Sequence, residues 1–223
     1  MKKLSIQYDN FSETFSQSNQ DYNASSRALF YKHLDANLSD KTVLDLACGD
    51  GTDLLEYALR GADCSGIDAS SELVTIAQKR CPGIPIVVGD MESLPYADAS
   101  FDLVVTKYAI QTLRQLDRTF SEISRVLKPN GRVVLLTVHP YRQFIERKTA
   151  YRNYFTQTVI DSVLFDGKVT AHEPTHTMQE YLSPGFLSRF SLTGLQEASD
   201  FPASERIGDK NYPCLLIVSA NKR

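Results

Sequence analysis

An apolar run, Val43-Leu44-Asp45-Leu46, passes through Ala47-Cys48-Gly49-Asp50-Gly51 into helix-forming residues from Thr52, and this succession constrains the fold more than any other part of the chain. A parallel strand buried on both faces reads as a near-continuous hydrophobic run. Glycine opens backbone conformations closed to other residues and removes a side chain that would hold a ligand away, so Gly49 and Gly51 permit close approach. The helix that follows presents unpaired backbone N–H groups at its start, a setting for polar or anionic ligand groups. The stretch predicts a strand, a tight turn and a helix, with a nucleotide-type site at the turn.

The same pattern recurs along the chain. Asp53 to Arg60 reads as a helix with Leu54, Leu55, Ala58 and Leu59 on a core stripe and Gly61 at its C′ position. Cys64 to Ile67 reads as a second strand ending at Asp68, followed by a helix from Ser70 or Ser71 that Pro82-Gly83 stops. Ile84 to Val88 is a third strand leading into Gly89-Asp90-Met91-Glu92, and Phe101 to Thr106 a fourth. Arg118 to Leu127 reads as a helix capped by Asp117, with Phe120, Ile123 and Leu127 on one face. Lys128-Pro129-Asn130-Gly131 then turns the chain into a fifth strand, Arg132 to Val138. Strands alternating with helices predict an α/β fold with an open, doubly wound parallel sheet. Ligands of such sheets bind beyond the C-terminal strand ends, where Ala47 to Gly51, Asp68, Asp90 and Thr106 to Tyr108 converge. Asp68, 17 positions after Gly51, stands where a nucleotide-binding unit places the carboxylate that accepts ribose hydroxyls; capping the following helix is its other reading.

The flanks differ from this core. Residues 1–40 are polar and aromatic, with Tyr8, Phe11, Phe15, Tyr22, Phe30 and Tyr31, and predict short helices, one running from a Ser25 or Ser26 cap to about Leu38. Pro140 to about Pro184 is again aromatic and polar, Tyr151 among its aromatics, and too long for a plain connection; it reads as a substrate-binding insertion that the N-terminal aromatics meet. Phe190 to Glu197 and Tyr212 to Ala220 read as an antiparallel pair closing the sheet. One domain over residues 1–223 is expected, divided into an N-terminal helical lid (1–40), a core (41–138), the insertion (139–189) and the terminal β-pair (190–223). Met1-Lys2-Lys3 is followed by Gln7, Asp9 and Asn10 rather than an apolar segment, so neither a signal peptide nor a membrane span is expected. A net charge of −3 without a Lys/Arg block argues against nucleic acid or an anionic membrane as partner and for a small molecule. Cys48, Cys64, Cys81 and Cys214 lack Cys-x-x-Cys spacing and read as reduced thiols of a cytoplasmic protein.

Gly49-Asp50-Gly51-Thr52-Asp53-Leu54 lacks the third glycine of a dinucleotide fingerprint, which counts against a nicotinamide dehydrogenase, and no phosphate loop with its lysine occurs. The chain resembles the class I S-adenosylmethionine-dependent methyltransferases of the small-molecule type. The resemblance rests on Val-Leu-Asp-Leu-Ala-Cys-Gly-Asp-Gly-Thr at 43–52, Gly-Ile-Asp-Ala-Ser at 66–70, Gly-Asp-Met-Glu-Ser-Leu-Pro at 89–95, Phe-Asp-Leu-Val-Val at 101–105 and Arg-Val-Leu-Lys-Pro-Asn-Gly at 125–131. It implies a Rossmann-like seven-stranded sheet, mostly parallel with an antiparallel C-terminal strand. It also implies S-adenosylmethionine as cofactor and S-adenosylhomocysteine as product.

Position by position, the resemblance sets the methionine part of the cofactor against Ala47, Cys48, Gly49 and Gly51, the ribose hydroxyls on Asp68 and the adenine against Ala69. Asp90 would accept from the adenine amino group, Met91 pack on its ring or donate a backbone N–H, and Thr106, Lys107 and Tyr108 line the methionine end. Members with an N-terminal lid use a Tyr and an Arg before the first strand, which here are Tyr8, Tyr22 and Arg27. The family often carries a histidine in the segment matched by Gln111-Thr112, and this chain departs from it there. His139, His172 and His176 are candidate bases or substrate-orienting groups, since histidine titrates near neutrality. They lack metal-ligand spacing, so no metal is expected. The reading is a methyltransferase acting on a small-molecule acceptor, with a non-catalytic module binding the same cofactor or its product as the alternative.

Overall fold

In the computed structural model, which describes residues 4–146, 153–199 and 212–223, seven strands form one sheet with helices on both faces. Tyr151 and the Met1-Lys2-Lys3 start lie outside the described residues. The sheet contains β1 (Thr42–Leu46), β2 (Asp63–Asp68), β3 (Ile86–Val88), β4 (Phe101–Lys107), β5 (Leu127–Val138), β8 (Phe190–Ala198) and β9 (Leu215–Lys222), in the order β3-β2-β1-β4-β5-β9-β8. The first five are parallel, and β9 runs antiparallel to both of its neighbours. The antiparallel terminal pair is as expected. The chain leaves β1 in one direction to β2 and β3 and returns past it to β4, so the switch point lies between β1 and β4, where a crevice opens at the strand ends.

Alternation along the strands sends successive side chains to opposite faces. On one face Leu44, Leu46, Val104, Val133 and Leu135 pack with Phe120 and Ile123 of α5 (Asp117–Val126) and Phe186 of α8 (Pro184–Arg189). On the other, Val43, Leu103, Val105, Val134 and Leu136 pack with Phe30 of α2 (Ala24–Tyr31), Leu54 and Tyr57 of α3 (Thr52–Leu59) and Val74 and Ala77 of α4 (Ser71–Arg80). Ser70 caps α4, its hydroxyl accepting from the Leu73 N–H at 3.2 Å. A 3-10 helix (Leu4–Phe11) and α1 (Ser12–Tyr22) precede α2. After β5 come α6 (Pro140–Glu146), a separate hairpin of β6 (Val159–Leu164) and β7 (Val169–Pro174), and the short α7 (Met178–Tyr181).

Several boundaries differ from expectation. The helix expected to reach Leu38 stops at Tyr31, because the backbone tightens into i−3 bonds from Lys32, His33 and Leu34, and Leu38 then docks on the Arg60 carbonyl. Asp117 does not cap α5: its neighbour Leu116 holds the cap position, and the Asp117 carboxylate meets Arg189 at 3.2 Å. The fifth strand begins at Leu127 rather than Arg132, since Leu127 already pairs with Phe101 and the Lys-Pro-Asn-Gly segment forms an irregularity within the strand, with Asn130 at φ 61°. The last strand starts at Leu215, not Tyr212. The four cysteines are buried and unbridged.

Candidate functional site

One cavity lies at the C-terminal edge of the sheet over the switch point. Its floor is made by the ends of β1, β2 and β4 and the segment after β3, and its roof by the N-terminal helices, α6 and the β6–β7 hairpin. Of the residues singled out from sequence, Tyr8, Tyr22, Ala47, Cys48, Gly49, Asp68, Ala69, Asp90, Met91, Lys107 and Tyr108 line it together. The turn after β1 makes this possible: Ala47 (φ 62°) and Gly49 (φ 55°) both take left-handed conformations, and so does Tyr108 (φ 52°) at the end of β4. Such conformations in residues other than glycine persist only where the surroundings fix them, and they cluster at ligand sites. A Cβ at Gly49 would stand 3.5 Å from the Phe15 ring, so the missing side chain keeps the space beneath that ring open.

Asp68 closes β2 and reaches back to the turn. Its Oδ2 accepts from the Gly49 N–H at 2.8 Å and its Oδ1 from the Ser70 N–H at 2.9 Å. The Ala69 N–H is a third backbone donor to this carboxylate, whose two oxygens together offer about four lone-pair sites and so retain capacity to accept from a ligand hydroxyl. Burial pushes this carboxyl above the usual range, against the pull of the backbone N–H groups. Asp90 accepts from the Glu92 N–H at 3.0 Å in a tight turn that also sets Met91 into the wall. Carboxylates for hydroxyl and amino donors, the apolar Met91 and Leu73, and a glycine-opened floor suit an adenosyl ligand.

A buried charge cluster that reaches the cavity wall through Asp53 and Lys107 joins the N-terminal helices to the sheet. Asp53 of α3 holds Arg27 Nε of α2 at 2.8 Å, Lys107 Nζ of β4 at 3.0 Å and the Tyr31 hydroxyl at 2.5 Å. Arg27 is thus engaged below the cavity and does not line it. Gly51 also stays off the wall. Its φ of 78° and the 3.0 Å and 3.1 Å that a Cβ would leave to Cys81 Sγ and Ala77 Cβ show a glycine needed for the turn and for the seating of α4. Thr106 is buried inside the sheet. Leu54, where a dinucleotide fingerprint has its third glycine, is fully buried, and the close approach is made instead by Gly66 of β2, where a Cβ would come within 2.9 Å of the Leu54 side chain.

None of the candidate histidines lines the cavity. His139 is buried after β5, its Nδ1 accepting from the Tyr141 N–H at 3.0 Å and its Nε2 donating to Glu197 at 2.7 Å, and burial holds its pKa down. His172 faces outward on β7, 2.7 Å from Asp161. His176 is buried and donates to the Leu113 carbonyl at 2.8 Å. Each is occupied by the protein itself.

The groups missed in the sequence belong to the insertion. Glu173 of β7 lines the cavity at 3% exposure, accepts from the Ser162 hydroxyl at 2.7 Å and is hydrogen-bonded by the Gln111 side chain. Gln111 in turn accepts from Thr137 at 3.1 Å, which lies 3.1 Å from the Tyr181 hydroxyl. Gln143 of α6, also 3% exposed, lines the same end, and its Nε2 has no partner among the described residues. Arg142 and Glu146, paired at 3.0 Å, complete that wall. Phe165 at the hairpin tip meets Phe15 and Tyr22 edge-on at 5.6 and 5.5 Å, the Tyr22 hydroxyl donates to Asp166, and the Gln7 amide clamps the His172 backbone. Among the described residues no helix is long and apolar enough to cross a membrane, and no group of three or more His, Cys, Asp or Glu is placed to hold a metal ion.

Comparison with known proteins bears on this geometry. Residues 44–135 match the family described as "Methyltransferase domain". The chain is 33% identical over 129 residues to a demethylmenaquinone methyltransferase of Streptomyces avermitilis, covering 57% of this chain and 54% of that protein. It is 29% identical over 159 residues to a phthiotriol/phenolphthiotriol dimycocerosates methyltransferase of Mycobacterium leprae, covering 68% and 59%. The chain therefore spans little more than half the length of these curated relatives. The crystal structure of an S-adenosylmethionine-dependent methyltransferase from Mesorhizobium loti superposes with a TM-score of 0.70 at 21% identity, over 88% of this chain and 97% of that one. The ordered motifs, the sheet order with its antiparallel β9 and the cavity at the switch point agree with these matches: residues 44–135 carry the similarity to the methyltransferase domain, within a fold shared with the solved S-adenosylmethionine-dependent methyltransferase.

Proposed function

We propose that this protein transfers a methyl group from S-adenosylmethionine to a small-molecule acceptor, and that residues 1–223 act as one catalytic unit. The observation that carries the proposal is a cavity at the switch point whose two ends differ chemically. One has Asp68, Asp90 and the Gly49 turn, and the other has a wall from the insertion. In this reading Asp68 accepts the ribose hydroxyls, Met91, Ala69 and Leu73 hold the adenine, and Ala47, Cys48, Gly49, Lys107 and Tyr108 surround the methionine part. Tyr8 and Tyr22 cover it from above. Bound there, the cofactor supplies an electrophilic sulfonium methyl. The protein's share is to align an acceptor in line with the S–CH₃ bond and to exclude water, and orientation of that kind contributes on the order of 7–11 kcal/mol in favourable cases.

Space beside the cofactor end, walled by insertion residues such as Ile160, Ser162 and Glu173, favours catalysis over a module that only binds the cofactor. The absence of a basic surplus, at net charge −3, favours a small acceptor over nucleic acid. Four buried unbridged thiols suit a reducing compartment, and we place the protein in the cytoplasm. The test is calorimetric titration with S-adenosylmethionine, S-adenosylhomocysteine and NADH. Saturable binding of the adenosyl ligands alone, lost in a folded Asp68→Ala variant, is expected. A folded protein that binds neither adenosyl ligand overturns the reading.

A further inference from the structure

We propose that Glu173 is the general base of the acceptor compartment and that it serves a small, uncharged acceptor bearing a phenolic or enolic hydroxyl, positioned with help from the Gln143 amide. The proposal rests on the methyltransferase reading above and goes beyond it by naming the acceptor chemistry. A carboxyl at 3% exposure in a cavity wall demands an explanation, since burying an acid costs stability unless it is paired. Among the described residues no cation pairs with Glu173 within hydrogen-bonding reach; its hydrogen-bond partners there are two neutral donors, the Ser162 hydroxyl and the Gln111 amide. Those donors hold the carboxyl in one orientation, and the chain Gln111–Thr137–Tyr181 fixes the amide in turn. A second group points to a ligand independently: Gln143 Nε2 is buried and unpaired among the described residues on the same wall. An acceptor oxygen would complete its hydrogen bonding.

The charged and titratable groups facing Glu173 come from every element around it. Tyr8 approaches from the N-terminal 3-10 helix, Arg142 from α6, His176 from beyond β7 and Tyr181 from α7. Burial outweighs the favourable influence of Ser162, Gln111, Arg142 and His176 and raises the carboxyl above its ordinary range, which brings it nearer to the acidity of a phenol at about 10 than an exposed carboxylate is. The apolar neighbours Ile160, Leu164 and Phe165 suit a neutral ring or chain, and an anionic acceptor would face Glu173 and Glu146. Tyr8 lies within the electrostatic reach of both Asp68 and Glu173, so the two ends of the cavity adjoin. In the step itself the acceptor O–H bond breaks and its proton passes to the Glu173 carboxylate. The oxygen's electron pair forms the new O–CH₃ bond while the S–CH₃ bond breaks with its pair returning to sulfur. The products are a methyl ether, neutral S-adenosylhomocysteine and a protonated Glu173, which water then deprotonates.

The test uses 4-methylphenol as acceptor and 4-methylanisole as the same ring without the hydroxyl. With S-adenosylhomocysteine bound, the wild-type protein is expected to take 4-methylphenol at least about fivefold more tightly than the ether, by calorimetry. With S-adenosylmethionine it should form 4-methylanisole at a rate that rises with pH through one titration. Glu173→Gln should lower that rate by about 100-fold or more and abolish the rise. Its affinity for S-adenosylhomocysteine should stay within about twofold of wild type. Gln143→Leu should reduce the preference for the phenol over the ether. A Glu173→Gln protein that keeps the rate and the pH dependence overturns the assignment of the base. A wild-type protein that binds S-adenosylhomocysteine but neither prefers nor methylates the phenol overturns the acceptor class and leaves the methyltransferase reading standing. Failure to bind S-adenosylhomocysteine at all is the separate failure of that underlying reading.

Discussion

Replacing Asp53 by Asn removes one negative charge from between two buried cations and changes almost nothing else in shape. Arg27 Nε lies 2.8 Å and Lys107 Nζ 3.0 Å from the carboxylate, and all three side chains are about nine-tenths buried. Breaking a buried pair by deleting one partner costs about 3–5 kcal/mol, because the remaining charge keeps its desolvation penalty without compensation. With an unfolding entropy of about 2.1 cal/mol/K per residue, 223 residues give about 0.47 kcal/mol/K, so Tm should fall by about 6–11 °C at pH 7. The loss also has a pH signature. Burial alone would raise the Asp53 carboxyl, but Lys107 and Arg27 reverse that and hold it below the ordinary value. A carboxyl depressed in the folded state contributes stability that is present above its unfolded pKa, about 3.9, and lost as pH falls through the folded value. The gap between wild type and Asp53→Asn should therefore be full at pH 7 and close progressively below about pH 4. Calorimetric melts across that range measure it. A gap under about 1 °C at pH 7, or one undiminished in acid, would refute the view that this cluster ties α2 and β4 to α3.

Gly51→Ala forces a side chain onto φ 78° and within 3.0 Å of Cys81 Sγ and 3.1 Å of Ala77 Cβ, so thermal unfolding should show a loss of about 2–4 kcal/mol, of which an added Cys81→Ala recovers only the share owed to the sulfur contact. His139 has its pKa held down by burial, so it contributes stability that is present above its unfolded value near 6.5 and lost as pH falls below it; His139→Asn should flatten the pH dependence of Tm between about pH 6.5 and 5. Asp68→Ala should weaken S-adenosylhomocysteine binding and also lower Tm, because it strands the Gly49 and Ser70 N–H groups. Charge-assisted bonds of this kind are worth about 1.5–3 kcal/mol each, and an unchanged Tm would mean that water replaces the carboxylate. His172→Ala, on an exposed face beside Asp161, should leave methyl transfer unchanged, and a large loss would return that histidine to the list of catalytic candidates.

What could be read from the chain beforehand divides along a physical line. The sheet was legible because each of its strands is a local apolar run bounded by turn residues, and because Gly49, Asp68 and Asp90 reach one edge through topology alone. Gly51 was legible as a glycine that matters, but not for what: its neighbours Ala77 and Cys81 lie about thirty residues on, in the next helix. Nothing local to Arg27 distinguishes a ligand contact from a buried ion pair, because its partner Asp53, which also accepts from Tyr31, lies 26 residues on in α3. The histidines drew attention through their chemistry, and nothing local revealed that the Leu113 carbonyl, Glu197 and Asp161 already engage them. Glu173 carried no such flag, since an isolated Glu in a polar, aromatic stretch looks like any solvated carboxylate. One local clue existed. Residues 169–174 alternate, and Val169, Ala171 and Glu173 share the buried face of β7, so a strand assignment there would have placed an acid among apolar side chains.

The Gln111-Thr112 segment shows how the two halves of the molecule depend on each other. It belongs to the core, directly after β4, yet Gln111 is used from above: its carbonyl oxygen accepts from Thr137 on β5, and its amide reaches Glu173 on the hairpin. A histidine at this place would keep one ring nitrogen after meeting a single partner, whereas the glutamine amide spends both ends on protein partners and orients the Glu173 carboxylate. Gln111 and Glu173 therefore act as one hydrogen-bonded unit that ties the core to the hairpin. It follows that the hairpin cannot be exchanged as an independent module. Grafting another β6–β7 segment without a carboxylate at 173 would strand the Gln111 amide in the cavity wall, at a cost of about 1–3 kcal/mol for an unsatisfied buried donor, and the core would register the change through Thr137 and Tyr181.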